Sequence, residues 1–156
     1  MSGHRFGPYL IKESQIFFRS KLCLGIVNLK PIAPYWSYPF YVLVIPKRNT
    51  PRLADLNREE AADLMISAQR IGNVIEKHYK CTSLTMTIQD GPQAGQTVPH
   101  VHMHVIPRRS EDWANNDDIY KDLDEKKGVD NEEREPRTEE DMGKEANELR
   151  VYFESN

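Results

Sequence analysis

Three histidines alternate with apolar residues in one short segment, in which Val101 and Met103 separate His100, His102 and His104. Successive side chains of an extended strand point to opposite faces, so this spacing predicts that the three imidazoles share one face. At about 3.3 Å of rise per residue, each outer ring lies roughly 6.6 Å from the middle ring along the strand. A phosphate group resting over the middle ring would therefore reach both neighbours.

The middle residue, His102, is the candidate nucleophile. Neutral imidazole is abundant near pH 7 because its unperturbed pKa is about 6.5, and its adduct on phosphorus can be hydrolysed in a second step. Protonated rings at His100 and His104 would neutralise charge on the phosphate oxygens or protonate the leaving phosphate. Such a mechanism also requires a group, such as a carbonyl, that fixes the tautomer of the attacking ring, and the sequence does not identify it.

Two other interpretations of these histidines remain open at this point. Histidines that only fill a core would each need a buried hydrogen-bond partner. A zinc site is the second alternative, because catalytic zinc commonly has three protein ligands. Against zinc, residues two apart would have to converge from one straight strand, and nothing near the remaining His4 and His78 suggests a carboxylate or thiolate ligand.

The elements around the histidines indicate a mainly antiparallel sheet. Ser20-Lys21 separates two segments rich in β-branched and aromatic residues, which predicts a hairpin. The continuous apolar run from Tyr41 to Ile45 is typical of a central strand buried on both faces. Gln89 lies on the polar face of a later alternating segment. Strands are predicted at residues 15–19, 22–29, 41–45, 83–89 and 100–106.

Two helices are predicted. Apolar residues recur at helical spacing from Leu64 to Ile75, and Asn57 with Glu60 forms a capping box, so a long amphipathic helix should run from about residue 55 to about 79. Thr138 begins a C-terminal helix that should reach about Arg150, after which residues 151–153 offer an apolar anchor. These elements predict an α+β fold in a single domain over 1–156, with a mobile loop at about 110–137.

The charge is unevenly distributed around a net value of -3. Residues 1–109 contain 14 Lys and Arg against 7 Asp and Glu, whereas residues 110–156 contain 7 against 17. The excess of basic residues over 1–109 favours a small phosphate-bearing ligand. The chain lacks the basic stripe with interleaved aromatic residues that is typical of nucleic-acid binding.

Cellular context can also be predicted from the sequence. The apolar runs are too short to span a bilayer, and the N-terminal residues lack the pattern of a secretory signal. We therefore expect no membrane association and a cytoplasmic location, with the nucleus as a further compartment. Cys23 and Cys81 have no metal-binding or redox spacing and are expected to be reduced thiols.

The segment from Gln89 to Arg108, QDGPQAGQTVPHVHMHVIPR, resembles the signature of the histidine-triad superfamily, and specifically of its fragile-histidine-triad branch. The resemblance begins at Arg5-Phe6-Gly7 and ends at Leu149-Arg150-Val151-Tyr152-Phe153, so it covers nearly the whole chain. It implies a histidine-triad-like fold and a bis(5'-adenosyl)-triphosphatase, which splits diadenosine triphosphate into AMP and ADP through a nucleotidyl-histidine intermediate.

Site residues follow from the same resemblance. It assigns the nucleophile to His102 and the phosphate-contacting, leaving-group-assisting roles to His100 and His104. Contacts to the polyphosphate are assigned to Gln89 and to the loop residues Gly95, Gln96, Thr97 and Val98. The ribose contact is assigned to Asn28, and the contacts to the base are assigned to Phe6 and Ile26. Tyr9 stands near the base at a position where the family often has a histidine.

The resemblance further implies a homodimer formed through the long helix and neighbouring strands. It implies Mn²⁺ or Mg²⁺ that accompanies the substrate, with no metal held by the protein. Tyr120 matches a tyrosine that the family uses in regulation, although an exposed tyrosine in a loop has the same pattern.

One segment departs from the family. Family members run directly from a Pro-Gly-His sequence into Val-Leu-Val, whereas here residues 35–41, which are mostly aromatic, separate Pro34 from Val42 and place Tyr41 where a histidine is expected. We hypothesise that this insert forms a lid beside the phosphates. Two alternative functions also stay open: a nucleoside phosphoramidase, and a nucleotide-binding signalling protein whose substrate complex is the active form.

Overall fold

The computed structural model describes residues 3–28, 41–125 and 137–154. The strands are β1 (Arg5–Phe6), β2 (Tyr9–Leu10), β3 (Ile16–Arg19), β4 (Cys23–Val27), β5 (Val42–Pro46), β6 (Ser83–Thr87) and β7 (Met103–Arg108). The helices are α1 (Arg58–His78), α2 (Asp118–Glu125) and α3 (Glu139–Arg150).

Strands β3 to β7 form a five-stranded antiparallel sheet in the order β3-β4-β5-β7-β6. The apolar strand β5 is central and buried along its whole length, as its sequence predicts. In β7, His104 pairs with Leu43 on one side and with Thr87 on the other. The predicted α+β class with a mainly antiparallel sheet is confirmed.

The period of two along β5 and β7 divides the core into two clusters on opposite faces of the sheet. One face packs against α1 and α3 and receives Val42, Val44, Val101, Met103 and Val105. The other face receives Leu43, Ile45 and Ile106 together with residues of β1 and β4. The imidazole rings lie on this second face, because Phe6 from that cluster contacts the rings of both His100 and His102.

Helix α1 forms as the capping box predicts. Asn57 accepts a hydrogen bond from the Glu60 backbone N–H at 2.8 Å, and the Glu60 carboxylate accepts one from the Asn57 N–H at 3.1 Å. Arg48 bonds the same carboxylate at 2.6 Å and 3.0 Å, which fixes the start of the helix against the end of β5. The buried stripe Leu64, Ala68, Ile71 and Ile75 then faces the sheet, and each large side chain contributes about 1.5–3 kcal/mol through burial.

The structure differs from the predictions at both ends of the chain. The hairpin of β1 and β2 was not predicted, because strands of two residues show no periodicity. The apolar anchor after α3 consists of Phe153, which contacts Phe17 and Phe18. Val151 and Tyr152, which were expected to share that role, are exposed.

A further difference lies in the predicted loop at 110–137, where residues Asp118–Glu125 form α2. Ile119 and Leu123, one helical turn apart, are buried in the cluster on the histidine face. That burial stabilises the helix, although its mostly charged sequence does not predict one. Residues 126–136 of the predicted loop and residues 35–40 of the aromatic insert lie outside the described residues. No helix in the described part of the chain is long and apolar enough to cross a membrane.

Candidate active site

The site lies where β7 begins, beside β5. The ring centroids of His102 and His104 are 5.1 Å apart, and both side chains line a narrow cleft. Regular pairing of the strand begins at Met103, later than predicted, because the preceding backbone bonds to loops: His100 N–H donates to Val98 O, and Val101 N–H to Thr50 O. The other residues of the cleft are Phe6, Asn28, Tyr41, Leu43, Gln89, Gly95, Thr97 and Val98.

His102 has the tautomer that a nucleophile needs. Its Nδ1 atom lies 2.7 Å from the carbonyl oxygen of His100. A carbonyl oxygen can only accept, so Nδ1 holds the proton and Nε2 keeps its lone pair. Burial lowers the pKa of His102 to about 4, and the ring is therefore neutral at pH 7. The carbonyl that the sequence could not identify belongs to the first histidine of the motif.

His100 occupies a different position from the one expected. Its ring is fully buried, its Nε2 donates to Pro46 O at 2.8 Å, and its Nδ1 accepts from the Gly7 N–H at 3.2 Å. Burial lowers the pKa of His100, so the ring is neutral. Both ring nitrogens form hydrogen bonds with backbone atoms, so the side chain links the β1–β2 hairpin to β5. That geometry does not fit the phosphate contact expected of His100.

The His104 ring is buried and lines the cleft. Neither of its nitrogens has a hydrogen-bond partner among the residues that the structure describes, and its ring centroid lies 5.4 Å from that of Tyr41. Burial lowers its pKa well below the ordinary value. A buried polar group without a partner costs free energy, which a phosphate oxygen or hydroxyl in the cleft would recover.

The loop before the triad also lines the cleft. Gly95 adopts a left-handed conformation with φ of 90° and lines the cleft with Thr97 and Val98. The Gln96 amide holds the loop together: it accepts from Gly91 N–H at 2.7 Å and donates to Pro51 O at 2.8 Å and Val98 O at 3.0 Å. Gln96 thus shapes the loop and does not line the cleft as expected.

A second cavity, of about 370 Å³, continues from the cleft on the same face of the sheet. The predicted nucleoside residues Phe6, Tyr9, Ile26 and Asn28 all line it, and Phe6 and Asn28 line the cleft as well. Its size lies within the range of small-molecule sites. The structure thus brings together the predicted nucleoside and phosphate residues, apart from His100 and Gln96.

A known protein family matches the part of the sequence that forms this site. The HIT domain model matches residues 11–111, a range that contains the whole triad. The chain belongs to the histidine-triad family. Among curated relatives of this HIT protein, the bis(5'-adenosyl)-triphosphatase of Dictyostelium discoideum is 50% identical over 97% of this chain and 93% of the relative.

A further relative and a solved structure are also similar to this chain. The bifunctional bis(5'-adenosyl)-triphosphatase/adenylylsulfatase of Arabidopsis thaliana is 42% identical over 98% of this HIT chain and 86% of the relative. Among solved structures, the Plasmodium falciparum diadenosine triphosphate hydrolase in complex with Cyclomarin A aligns with a TM-score of 0.75 at 27% identity. That alignment covers 98% of this chain and 85% of the hydrolase.

The zinc alternative requires at least three protein ligands around one point. Among residues 3–28, 41–125 and 137–154, no three His, Cys, Asp or Glu side chains are grouped so that they could hold a metal ion. His100, which a three-histidine zinc site would require, is bonded to backbone at both nitrogens.

Several residues of the HIT site were not identified from the sequence. The outer wall of the larger cavity contains Lys12, Arg137, Glu139 and Met142, three of which belong to the region around α3. Arg137, Glu139 and Met142 are more than 100 positions from Asn28, which lines the same cavity. No local pattern marks them, because they approach the site only when α3 packs on β3 and β4.

Proposed function

We propose that this HIT protein hydrolyses dinucleoside polyphosphates, with diadenosine triphosphate as the substrate and AMP and ADP as the products. The single observation that carries the proposal is the state of His102, a buried, neutral imidazole whose Nδ1–H donates to the His100 carbonyl. In this tautomer Nε2 keeps its lone pair and can act as the nucleophile. The names of the relatives from Dictyostelium and Arabidopsis agree with this reaction.

The reaction proceeds in two displacements. First, Nε2 of His102 attacks the phosphorus that carries one adenosine; a nitrogen–phosphorus bond forms, and the bond to the bridging oxygen breaks, with its electron pair leaving on ADP. A water molecule then attacks the same phosphorus, the nitrogen–phosphorus bond breaks, and AMP and one proton are released. His102 returns to its neutral tautomer, which the His100 carbonyl maintains throughout.

His104 contacts the transferring phosphate in this proposal. It lies beside His102 and its ring nitrogens are without partners among the described residues. Although the ring is neutral without substrate, a phosphate anion in the cleft raises its pKa, because an opposite charge favours the protonated form. The protonated ring then donates to the phosphate oxygens, where negative charge develops in each displacement.

Mg²⁺ or Mn²⁺ is proposed to enter with the polyphosphate, as part of the substrate. The cation would neutralise charge on the phosphates that leave as ADP. The chain supplies binding and orientation: Phe6, Asn28 and the wider cavity hold the nucleoside, and the loop at Gly95 faces the phosphates.

We also propose that the protein is a homodimer. The outer face of α1 exposes Met65 and Ile66 at 57% and 55%, and Met86 on the edge strand β6 is 38% exposed. An apolar helix face beside a sheet edge is a surface that a second copy could cover. Sedimentation of the wild type and of Ile66→Glu tests this, since the substitution should shift the protein to monomer.

Trapping the intermediate is the test of the reaction. Wild type mixed with diadenosine triphosphate and quenched within milliseconds should gain the mass of one adenylyl group, and peptide mapping should place it on His102. The matched control is His4→Asn, because His4 lines neither cavity; this variant should form the adduct, whereas His102→Asn should not.

The fate of the water oxygen provides a second measurement. In water labelled with ¹⁸O, the label should enter AMP and not ADP, because water attacks the adenylyl phosphorus. Label in ADP, or an adduct formed equally by His102→Asn, would contradict the proposal. Parallel turnover of adenosine 5'-phosphoramidate, with faster release of AMP than from diadenosine triphosphate, would favour the phosphoramidase alternative.

A further inference from the structure

The two cavities of the site meet at three residues. Phe6, Asn28 and Leu43 line both of them, and Asn28 is the polar member of the three. A nucleotide whose phosphorus lies at His102 must pass its sugar through this junction to place its base in the larger cavity. In the proposed function, the buried Asn28 amide at this junction is the group available to hydrogen-bond the sugar hydroxyls.

The backbone of Asn28 is contacted by Arg137, which lies just before α3. The Arg137 Nη1 atom donates to the Asn28 carbonyl oxygen at 3.4 Å, and Arg137 itself lines the larger cavity. The positions of these two residues, 109 apart in sequence, are thus coupled by a direct contact. A shift of the guanidinium would move the residue at the sugar junction.

The guanidinium is in turn held by a buried polar chain. Arg137 forms an ion pair with Glu145 of α3, and each side chain is only 7% exposed. The other carboxylate oxygen of Glu145 accepts from the Tyr79 hydroxyl at 2.8 Å, and Arg137 Nη2 donates to Asp141 O at 3.3 Å. Burial, together with the Glu145 carboxylate, raises the pKa of Tyr79, so the phenol keeps its proton and remains a donor.

A buried ion pair is a weak source of stability, because the desolvation of both charges offsets their attraction. The position of this pair suggests another role, since Glu145 fixes a guanidinium that also contacts the backbone of Asn28 at the proposed nucleotide site. We propose that Arg137 is a positioning residue for sugar recognition: through Glu145 and Tyr79 it holds Asn28 so that its amide meets the ribose. This inference rests on the proposed function, because it assumes a nucleotide that spans both cavities.

The proposal predicts altered discrimination between ribose and 2'-deoxyribose. Wild type should bind AMP more tightly than 2'-deoxy-AMP by about 3- to 10-fold, the value of one hydrogen bond. Displacement of Asn28 should remove most of that preference. It should also raise the KM for diadenosine triphosphate more than it changes kcat, because the reacting atoms at His102 are not displaced.

The variants are chosen to avoid leaving a buried charge unpaired. Arg137→Met combined with Glu145→Gln removes both charges and leaves an acceptor for the Tyr79 hydroxyl. Arg137→Lys is the conservative variant and should retain part of the preference. The matched control is Arg150→Met: Arg150 also joins α3 to the sheet, through a 2.7 Å bond to Ile16 O, but lines neither cavity.

Binding of AMP and 2'-deoxy-AMP is measured by calorimetry, alongside turnover of diadenosine triphosphate. We expect the affinity ratio to fall by at least about threefold in the double variant, to fall less in Arg137→Lys, and to stay at the wild-type value in Arg150→Met. If the double variant fails to fold, a fall in Arg137→Lys still supports the proposal and an unchanged ratio overturns it.

An unchanged ratio in the double variant, an equal fall in Arg150→Met, or a wild type without ribose preference would overturn the role of Arg137. Failure of the proposed function looks different. In that case the wild type would bind AMP with a ribose preference but would not hydrolyse diadenosine triphosphate.

Discussion

The carbonyl oxygen of His100 lies 2.7 Å from Nδ1 of His102, so the first histidine of the motif orients the second through its backbone. The His100 ring, meanwhile, bonds Gly7 and Pro46. Backbone and side chain of one residue thus have separate roles, and substitution can separate them.

His100→Ala is expected to destabilise the fold while leaving a measurable fraction of turnover. Removal of the ring leaves the Gly7 N–H and the Pro46 carbonyl buried without this partner, at about 1–3 kcal/mol for each group. The His100 carbonyl remains, so His102 keeps its tautomer. Urea unfolding and kcat should therefore show a large loss of stability and a smaller loss of turnover than in His102→Ala. Equal losses of kcat in the two variants, with unchanged stability, would instead assign the His100 ring to the chemistry.

Stability should fall as pH is lowered from 6.5 toward 4. Burial depresses the pKa values of all three triad histidines from 6.5, that of His102 to about 4. Below pH 6.5 the unfolded chain therefore binds protons that the folded protein does not. A histidine that stays neutral in the folded protein lowers the stability by about 1.4 kcal/mol per pH unit until the pH reaches its folded-state pKa. Urea unfolding across this range should show the decline, and His104→Gln, which removes one of these groups, should make it shallower. A slope identical to the wild type in that variant would contradict the assignment.

Phosphate binding should be accompanied by proton uptake. The buried His104 is neutral in the free protein, and an anion beside it raises its pKa. Calorimetry of AMP binding near pH 6, in buffers of different ionisation enthalpy, should therefore give a net uptake of protons. The uptake should be reduced in His104→Gln and retained in His78→Gln, because His78 lies outside both cavities. Uptake that persists in His104→Gln would place the proton elsewhere.

Gly7→Ala is expected to destabilise the protein and weaken nucleotide binding. Gly7 has φ of +58°, and an added Cβ would lie 2.7 Å from a methyl carbon of Val98. The left-handed backbone alone costs a non-glycine residue about 1–2 kcal/mol, and relief of the clash would shift the N–H that bonds His100. Thermal unfolding and AMP titration measure both effects.

Gly143→Ala provides the comparison for that experiment. Gly143 lies within α3, and a Cβ there would meet Ser14 at an ordinary 3.8 Å. Alanine in a helix is favoured over glycine by about 0.5–1 kcal/mol, so this variant should be more stable than the wild type. Equal effects of the two substitutions would contradict the special requirement at Gly7.

The sequence alone determined the elements whose patterns are local and long enough to repeat. The capping box at Asn57 and Glu60, the apolar stripe of α1, the central strand β5 and the start of α3 at Thr138 all follow from residues within a few positions of one another. The alternation from Val101 to Val105 likewise separates core side chains from histidines correctly, because neighbouring side chains in an extended chain point in opposite directions.

The differences among the three histidines, and the residues that line the larger cavity, depend on contacts between parts of the chain that are distant in sequence. All three have the same spacing, yet His100 is bonded by Gly7 and Pro46, and His104 faces Tyr41 across the cleft. Helix α2 depends on burial of Ile119, and Arg137 reaches Asn28 only because α3 packs on the sheet. Such contacts join positions far apart in the chain, and their energies depend on burial and partners that no local pattern of residues records.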